Sequence, residues 1–502
     1  MTLTLRNDER GFAMVIALAL MALMTIISVT LLTVTGSEST RSRRDAKVTD
    51  AYQAAEAGTN AYLSDLTEST VFFNSYLAKG EATRTDSSNA THASSNSSDV
   101  AWSSGSTWTY KTPPAGDTGW YDLGNGYEYL LQVIPPNSGL QQTQAQVITR
   151  IDVIGRPKGS ADQSTWRTLE TMIRPSSLTD FQTFTATSVT YNSAATTTGP
   201  IFVGEDKNGS PGTLTHDGTA KANLYSEGTV GGATTYTNGA KKYDKNSNPT
   251  ALCKLNNCNP VQFSSFQSTI TTVSGAAAAG GITLGAKDNS NAGLSGQSYN
   301  VDAWKLAFQA NGTILISSCK LYSQKVNNVT TTWPDYDGSN APVCGTATSY
   351  NVPSNGAISS AADVLVSGVV KGKVTVASSG DVVFGGDTTY NVNGTDVLGL
   401  EAQGTIYVAQ WAVTGATLNL WAAELALNGP FEADPSYNGS ATATMNFNGS
   451  TAVYGGSNGA IIFSNLFAHR NYIYDNNLKF LQPPYWPTLG NAFTVLVQRE
   501  VG

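Results

Sequence analysis

The chain has 502 residues, 13% of them charged, and a formal net charge of −8. That length leaves room for two or more domains, and the charged share is about half that of an ordinary soluble domain. The acidic balance, with no basic stripe beyond residues 41–47, argues against a nucleic-acid partner.

A polar leader, residues 1–11, opens the chain. From Phe12 to Val34 no charged residue occurs. As a helix that run is about 35 Å long at ~1.5 Å per residue, enough for a ~30 Å hydrocarbon core. It is also longer than the apolar core of a cleaved secretory signal, so the helix is expected to stay with the chain. Beyond the apolar run, Val48, Tyr52, Ala55, Thr59, Tyr62 and Leu66 recur at alternating steps of four and three and share one helical face. The helix is therefore expected to continue as a stalk.

Arg10-Gly11-Phe12, the apolar run, the basic Arg41-Ser42-Arg43-Arg44 and the stretch Ala51-Tyr52-Gln53-Ala54-Ala55-Glu56-Ala57-Gly58 resemble the N-terminal domain of PilX-type minor pilins and their pilus-assembly relatives. The last stretch is similar to the FQAAEAG pattern of that domain, and the resemblance covers residues 8–66. It implies cleavage after Gly11 by a prepilin peptidase, methylation of the new Phe12 amine, storage in the membrane, and packing of the helix against other pilins. Two departures stand out. The fifth residue of the implied mature chain, Glu in major pilins, is Ile16, which argues against a self-polymerising major subunit. The leader is nearly neutral, because Asp8 and Glu9 offset Arg6 and Arg10. Arg41, Arg43, Arg44 and Lys47 follow the apolar run, a position that the positive-inside rule assigns to the cytoplasm. The composition and cysteines downstream place that side outside. The cluster reads equally as a solvated face against anionic headgroups or as a partner for acidic residues of neighbouring subunits.

Residues 67–117 lose periodicity. The run from Asp86 to Ser98, rich in Ser and Asn, cannot bury a core and reads as a linker. Strands are expected at Tyr127–Ile134, Gln146–Gly155 and Thr165–Ile173, forming a small meander over residues 118–180 on the stalk helix. Pilin heads are built this way. Residues 181–360 mix short strands with polar turns, and Ala276–Gly281 is a small-residue run with no chemistry in it. Asp244, Asn246 and Asn248 have the first three spacings of a calcium loop, but Pro249 stands where Gly is needed and Leu255 where the bidentate Glu belongs. A plain turn is expected there, as at Asp335-Tyr336-Asp337-Gly338.

The four cysteines are Cys253, Cys258, Cys319 and Cys344. An even count in an exported region points to disulfides, with three connectivities open. Ease of closing short loops favours 253–258 and 319–344. A zinc site is disfavoured by the x4 spacing of the first pair and by the scatter of His92, His216 and His469.

From Asp363, short strands with one to three apolar residues alternate with Gly, Asn or Asp turns, which points to the rungs of a parallel β-helix, with an antiparallel sandwich as runner-up. Gly368–Val376, Asp396–Leu400 and Asn477–Tyr485 resemble the C-terminal part of large pilus-assembly proteins that join a PilX-type N-terminus to a β-rich head. Parallel β-helices also carry polysaccharide-cutting enzymes, which need carboxylates clustered on one face. Here Asp381, Asp387, Asp396, Glu401, Glu424, Glu432 and Asp434 read as scattered at turns, and no nucleophile or nucleotide fingerprint occurs. Tyr407, Trp411, Trp421 and Tyr437 have surfaces that stack on sugars, although core packing is the plainer role.

The expectation is an α+β chain: a leader (1–11), a pilin-like transmembrane and stalk helix (12–66), a linker (67–117), then a large all-β region. That region comprises the meander (118–180), an irregular part with the two candidate disulfides (181–360), a β-solenoid (361–470) and a C-terminal tail (471–502). The expected function is that of a minor, non-enzymatic filament component without cofactor, held in the membrane and then displayed outside the cell. Its expected partners are prepilin peptidase, other pilins and a surface glycan or host ligand. The competing expectation is a surface protein that never polymerises and whose β-helix binds or cuts polysaccharide.

Overall fold

The computed structural model describes residues 9–68, 83–85, 91–93, 120–134, 148–193, 195–206, 208–247, 263–286, 302–319, 321–326, 329–334, 344–413, 415–433, 442–456, 459–463 and 466–501. The leader before residue 9, Cys253 and Cys258, Tyr437, and most of the expected linker lie outside the described residues. Within the linker span, Thr83–Thr85 and Thr91–Ala93 pair antiparallel.

One continuous helix runs from Glu9 to Glu68. It is apolar and long enough to cross a membrane, and its apolar window is wholly exposed. Hydroxyls within that window are satisfied internally: Ser28 donates to the Met24 carbonyl at 2.8 Å and Thr35 to that of Leu31 at 2.7 Å. This lets Ser and Thr enter a hydrocarbon environment without an unpaired polar group.

The second half of the helix lies on an antiparallel sheet. Strands Trp120–Asp122, Tyr127–Ile134, Thr149–Pro157 and Arg167–Ser177 follow one another, and Thr488–Val501 pairs with the last of them at the far edge. Small residues make this contact close. Ala51, Ala55 and Gly58 are buried on the helix, and Gly155 faces them from the sheet. A Cβ on Gly155 would overlap the Ala51 carbonyl oxygen, and one on Gly58 would strike Tyr129 and Val153. Around them Ala55, Tyr62, Leu131, Ile151, Val153, Leu169 and Ile173 form one core. The expected helical face is thus the packed face, and the Ala51–Gly58 stretch has a physical role in it.

Residues 178–487 lie between the fourth and fifth strands of this sheet, and most of their strands stack in parallel. A first ladder runs Ile282–Leu284, Ala357–Ser360, Lys373–Ser378, Val397–Ala402 and the ends of Thr417–Ala426 and Ala443–Val453. It then continues through Thr183–Thr185, Ile201–Val203, Leu224–Ser226 and Lys242–Asp244. Residues 183–244, expected to be irregular, therefore add regular layers onto a strand more than two hundred residues downstream. A second ladder joins Ala303–Phe308, Asp363–Val370, Val382–Tyr390, Ile406–Val408, Phe431–Ala433 and Ile461–Ile462. A third joins the starts of Thr417–Ala426 and Ala443–Val453 to Phe467–Tyr474, Thr196–Thr197, Thr219–Ala220 and Thr235–Tyr236.

The first ladder is buried on both sides, so its strands read as apolar runs rather than alternating ones. Ile358, Val376, Leu400, Ile201 and Leu224 belong to one core. The opposite rows, Ala377, Leu425, Ala452, Phe184 and Phe202, belong to another core that includes Phe263, Phe266 and the helix Thr269–Gly280. The small-residue run is thus the end of a helix that covers a ladder. Beside Ala303–Phe308, the antiparallel strands Thr313–Cys319 and Thr348–Asn351 add to the sheet. On the third ladder Asn471 donates to Asn446 at 2.9 Å and Asn446 to Asn419 at 3.1 Å, a stacked amide row.

Two boundaries differ from expectation. The third head strand does not stop at Pro175 but runs to Ser177, since Pro175 lies opposite Phe493 and the ladder absorbs its missing N–H at an irregularity. The segment 471–502 is no tail: it completes both the third ladder and the head sheet.

Replacing Gly155 with Val should force helix and sheet apart and destabilise the packed half of the helix by about 3 kcal/mol or more. The thermal midpoint of the detergent-solubilised chain and protease cleavage near Ala54 report it; an unchanged midpoint would refute the close contact.

Candidate functional site

Three features carry potential function: the exposed helix, the disulfide-closed excursion, and a row of carboxylates. The helix backbone runs unbroken through Gly11 and Phe12. Downstream, Met14, Ile16, Leu20, Leu23, Ile27, Leu31 and Val34 are all exposed. No side of residues 16–34 is covered by the rest of the chain, and so much apolar surface needs lipid or another helix around it. The basic residues Arg41, Arg43, Arg44 and Lys47 are exposed immediately before the sheet contact begins.

Cys319 and Cys344 are joined by a disulfide, with Cα atoms 4.0 Å apart and 25 residues of separation. It closes an excursion that contains the antiparallel hairpin of Leu321–Val326 and Val329–Pro334. Of the candidate calcium loop only residues 244–247 are described, and there the Asp244 carboxylate takes up backbone N–H groups. One carboxylate oxygen accepts from the Asn246 and Ser247 N–H groups at 2.9 and 2.7 Å, and the other from Val230 at 3.1 Å. Among the described residues no group of three His, Cys, Asp or Glu side chains is placed to hold a metal ion.

The reading of the carboxylates as scattered at turns needs correction. Asp363 and Asp381 precede paired strands of the second ladder: an Asp363 oxygen accepts from the Asp381 N–H at 2.7 Å, and an Asp381 oxygen from the Thr405 N–H at 2.7 Å. Glu432 lies opposite Tyr407 in the same ladder. Burial raises Asp381 to about 6 against the Thr405 hydrogen bond, and nearby Asp363 adds to the rise. Burial and then the Asp381 charge raise Glu432 to about 7, although the Tyr407 hydroxyl stabilises its anion. Burial thus brings both carboxyl groups toward neutral pH. Sequence spacing hides this because Asp381 and Glu432 meet only through ladder register.

Glu401 and Glu424 are not at turns either. Both lie inside strands of the first ladder, fully buried. Glu424 accepts from Thr451 at 3.1 Å, whereas neither carboxylate oxygen of Glu401 has a hydrogen-bond partner. Burial pushes the pKa of both well up, which favours the neutral acid. Of the aromatics singled out, Tyr407, Trp411 and Trp421 are half-buried against the ladder core.

No protein-family model and no characterised protein matches the sequence. Among solved structures, the chain is similar to the competence-associated pilin ComZ from Thermus thermophilus, at a TM-score of 0.29 and 11% identity, covering 91% of this chain and 98% of that chain. At that score the likeness carries no argument.

Two outcomes follow. For Asp381 and Glu432 the folded pKa is raised, so the folded state binds more protons than the unfolded one between about pH 4 and the folded values of about 6 and 7. Stability is therefore greatest at the acidic end of that window and falls as pH rises through it. Glu432→Gln should flatten the upper part of the thermal-midpoint profile, and Asp381→Asn the lower part; a Glu432→Gln profile as steep as the parent's above pH 6 would contradict it. Separately, Cys319→Ser, which reopens a loop of 25 residues, should cost about 3 kcal/mol, read as a lowered thermal midpoint that adding Cys344→Ser does not lower further.

Proposed function

We propose that this chain is a minor, pilin-like component of a type IV pilus or a related secretion filament. The observation that carries the proposal is the division of the N-terminal helix. Its first half is apolar and exposed on all sides, and its second half is fixed to an antiparallel sheet through Ala51, Ala55, Gly58 and Gly155. That division suits a helix stored in a membrane and later packed among the helices of neighbouring subunits. In this reading prepilin peptidase cuts after Gly11, the Phe12 amine is methylated, and the sheet and ladders stand outside the cytoplasm.

We read the three parallel ladders as a β-solenoid inserted between the fourth and fifth strands of the head sheet. An insertion of about three hundred residues is too bulky to repeat along a tightly wound filament, so the chain belongs at a tip or another rare position. Ile16 at the fifth mature position agrees, since it leaves no carboxylate there for a neighbour's amine. The head acts without catalysis, by priming assembly or by adhesion.

The nearness of Asp363, Asp381 and Glu432 on the second ladder favours a second reading, a membrane-anchored surface protein that binds or cuts polysaccharide and never polymerises. Mass spectrometry of the mature N-terminus, from membrane and sheared-filament fractions, separates the two. The filament reading expects a chain that starts at methylated Phe12 in both fractions. A chain that starts at Met1 and is confined to membranes would overturn it.

A further inference from the structure

A cleft of about 260 Å³ opens where the layers of residues 183–244 meet those of residues 443–474, lined by Thr190, Tyr191, Asn192, Phe463, Arg470 and Tyr472 among others. Register places Arg470 in a core row. It lies opposite Met445, which lies opposite Leu418, and both of these are buried. Arg470 itself is half-buried, so its guanidinium keeps part of its hydration and has room for an anionic partner in the cleft. The ion pairs among the described residues engage Arg150, Arg156, Lys158, Arg167, Arg174 and Arg499, and none engages Arg470. Its charge instead lines the cleft.

The rest of the cleft is aromatic and firmly held. Tyr472 lies opposite Phe447 and meets Tyr191 edge-on, with ring centroids 5.8 Å apart. Tyr191 donates to or accepts from Thr183 at 2.8 Å and stacks at 5.3 Å on the buried His216. His216 in turn reaches Thr197 at 3.1 Å through Nε2. Thr190 and Asn192 are exposed at the rim.

We propose that this cleft binds one carboxylated sugar unit of an acidic polysaccharide, with the carboxylate on Arg470, the ring against the small parts of the buried Tyr191 and Tyr472 that line the cleft, and the hydroxyls at Thr190 and Asn192. The planar guanidinium fork matches a carboxylate in two parallel hydrogen bonds. Tyrosine rings provide apolar faces with polar tips, as an amphipathic sugar ring requires. The volume falls just below the ~300–1,000 Å³ of pockets for drug-sized ligands, which suits a single ring. This inference rests on the proposed reading of the head as an adhesive surface outside the cytoplasm.

The test is calorimetric titration of the full detergent-solubilised chain with D-galacturonate, D-galactose and inorganic phosphate. Galacturonate should bind at least about tenfold tighter than galactose or phosphate. Arg470→Met, for which Met445 in the same row is the precedent, should abolish that preference. Asn192→Asp at the exposed rim should repel galacturonate and leave the fold intact. Equal binding of the two sugars, phosphate binding as tight as galacturonate, no saturable binding by the folded parent, or an unchanged Arg470→Met variant would each overturn it. A chain that starts at methylated Phe12 yet ignores galacturonate refutes this inference alone. One that starts at Met1 and binds galacturonate refutes only the filament reading.

Discussion

The buried ion pair of Arg174 and Asp180 seals the joint on which the rest of the head depends. Arg174 is almost wholly buried and donates through Nε to the Lys479 carbonyl at 2.8 Å and through Nη1 to the Pro175 carbonyl at 2.8 Å. Asp180 accepts both guanidinium arms, the Ser177 N–H at 2.9 Å and the Thr494 hydroxyl at 2.8 Å. One cluster thus ties the end of the fourth sheet strand, the entry into the ladders, the segment leaving them and the last strand. A buried pair of this kind stabilises little by itself, because desolvation offsets most of its attraction. Its consequence is geometric, since four donors from three residues converge on Asp180 and fix the angle at which the ladders leave the sheet.

The helix and its sheet were the most legible part of the chain. The signal was local: a run of apolar residues without charge, then a repeat at helical spacing, then strands separated by short turns. Even the Ala51–Gly58 stretch, first meaningful as a resemblance, has a steric cause, because the Gly155 backbone and the Ala51 carbonyl leave no room for a methyl group. The last strand was invisible for the opposite reason. Nothing in Thr488–Val501 says that its partner is Arg167–Ser177, three hundred residues earlier.

The ladders were half legible. Apolar triplets between turn residues after Asp363 announced stacked strands, whereas the triplets Thr183–Thr185, Ile201–Val203 and Leu224–Ser226 read as isolated short strands among polar turns. Their layer order is not their chain order, so no spacing argument places Thr185 on Val453. The same limit hid the chemistry. Asp381, Tyr407 and Glu432 are tens of residues apart and are brought near one another by register, and Glu401 lies between Ala377 and Leu425 as Glu424 does between Leu400 and Thr451. A carboxyl group in such a row is tolerated only as the neutral acid, a property that depends on burial and therefore on the fold.

Layer order also bears on how such a head can form. The layer at Thr183–Thr185 closes against Val453 across roughly 270 residues, compared with roughly 20 for a layer stacked on its sequence neighbour, and the extra loop-closure entropy is only about 2 kcal/mol. One or two buried side chains such as Phe184 and Phe202, stacked at 5.0 Å, offset that. The cost is kinetic rather than thermodynamic, because the early layers stack on one another but meet Val453 only once the late ones exist. A chain synthesised from its N-terminus would leave the Thr183–Thr185 edge of that stack open until the C-terminal strands arrive. The joint at Arg174 and Asp180 and the last strand at Thr488–Val501 would then close together, so that sheet and ladders mature as one event.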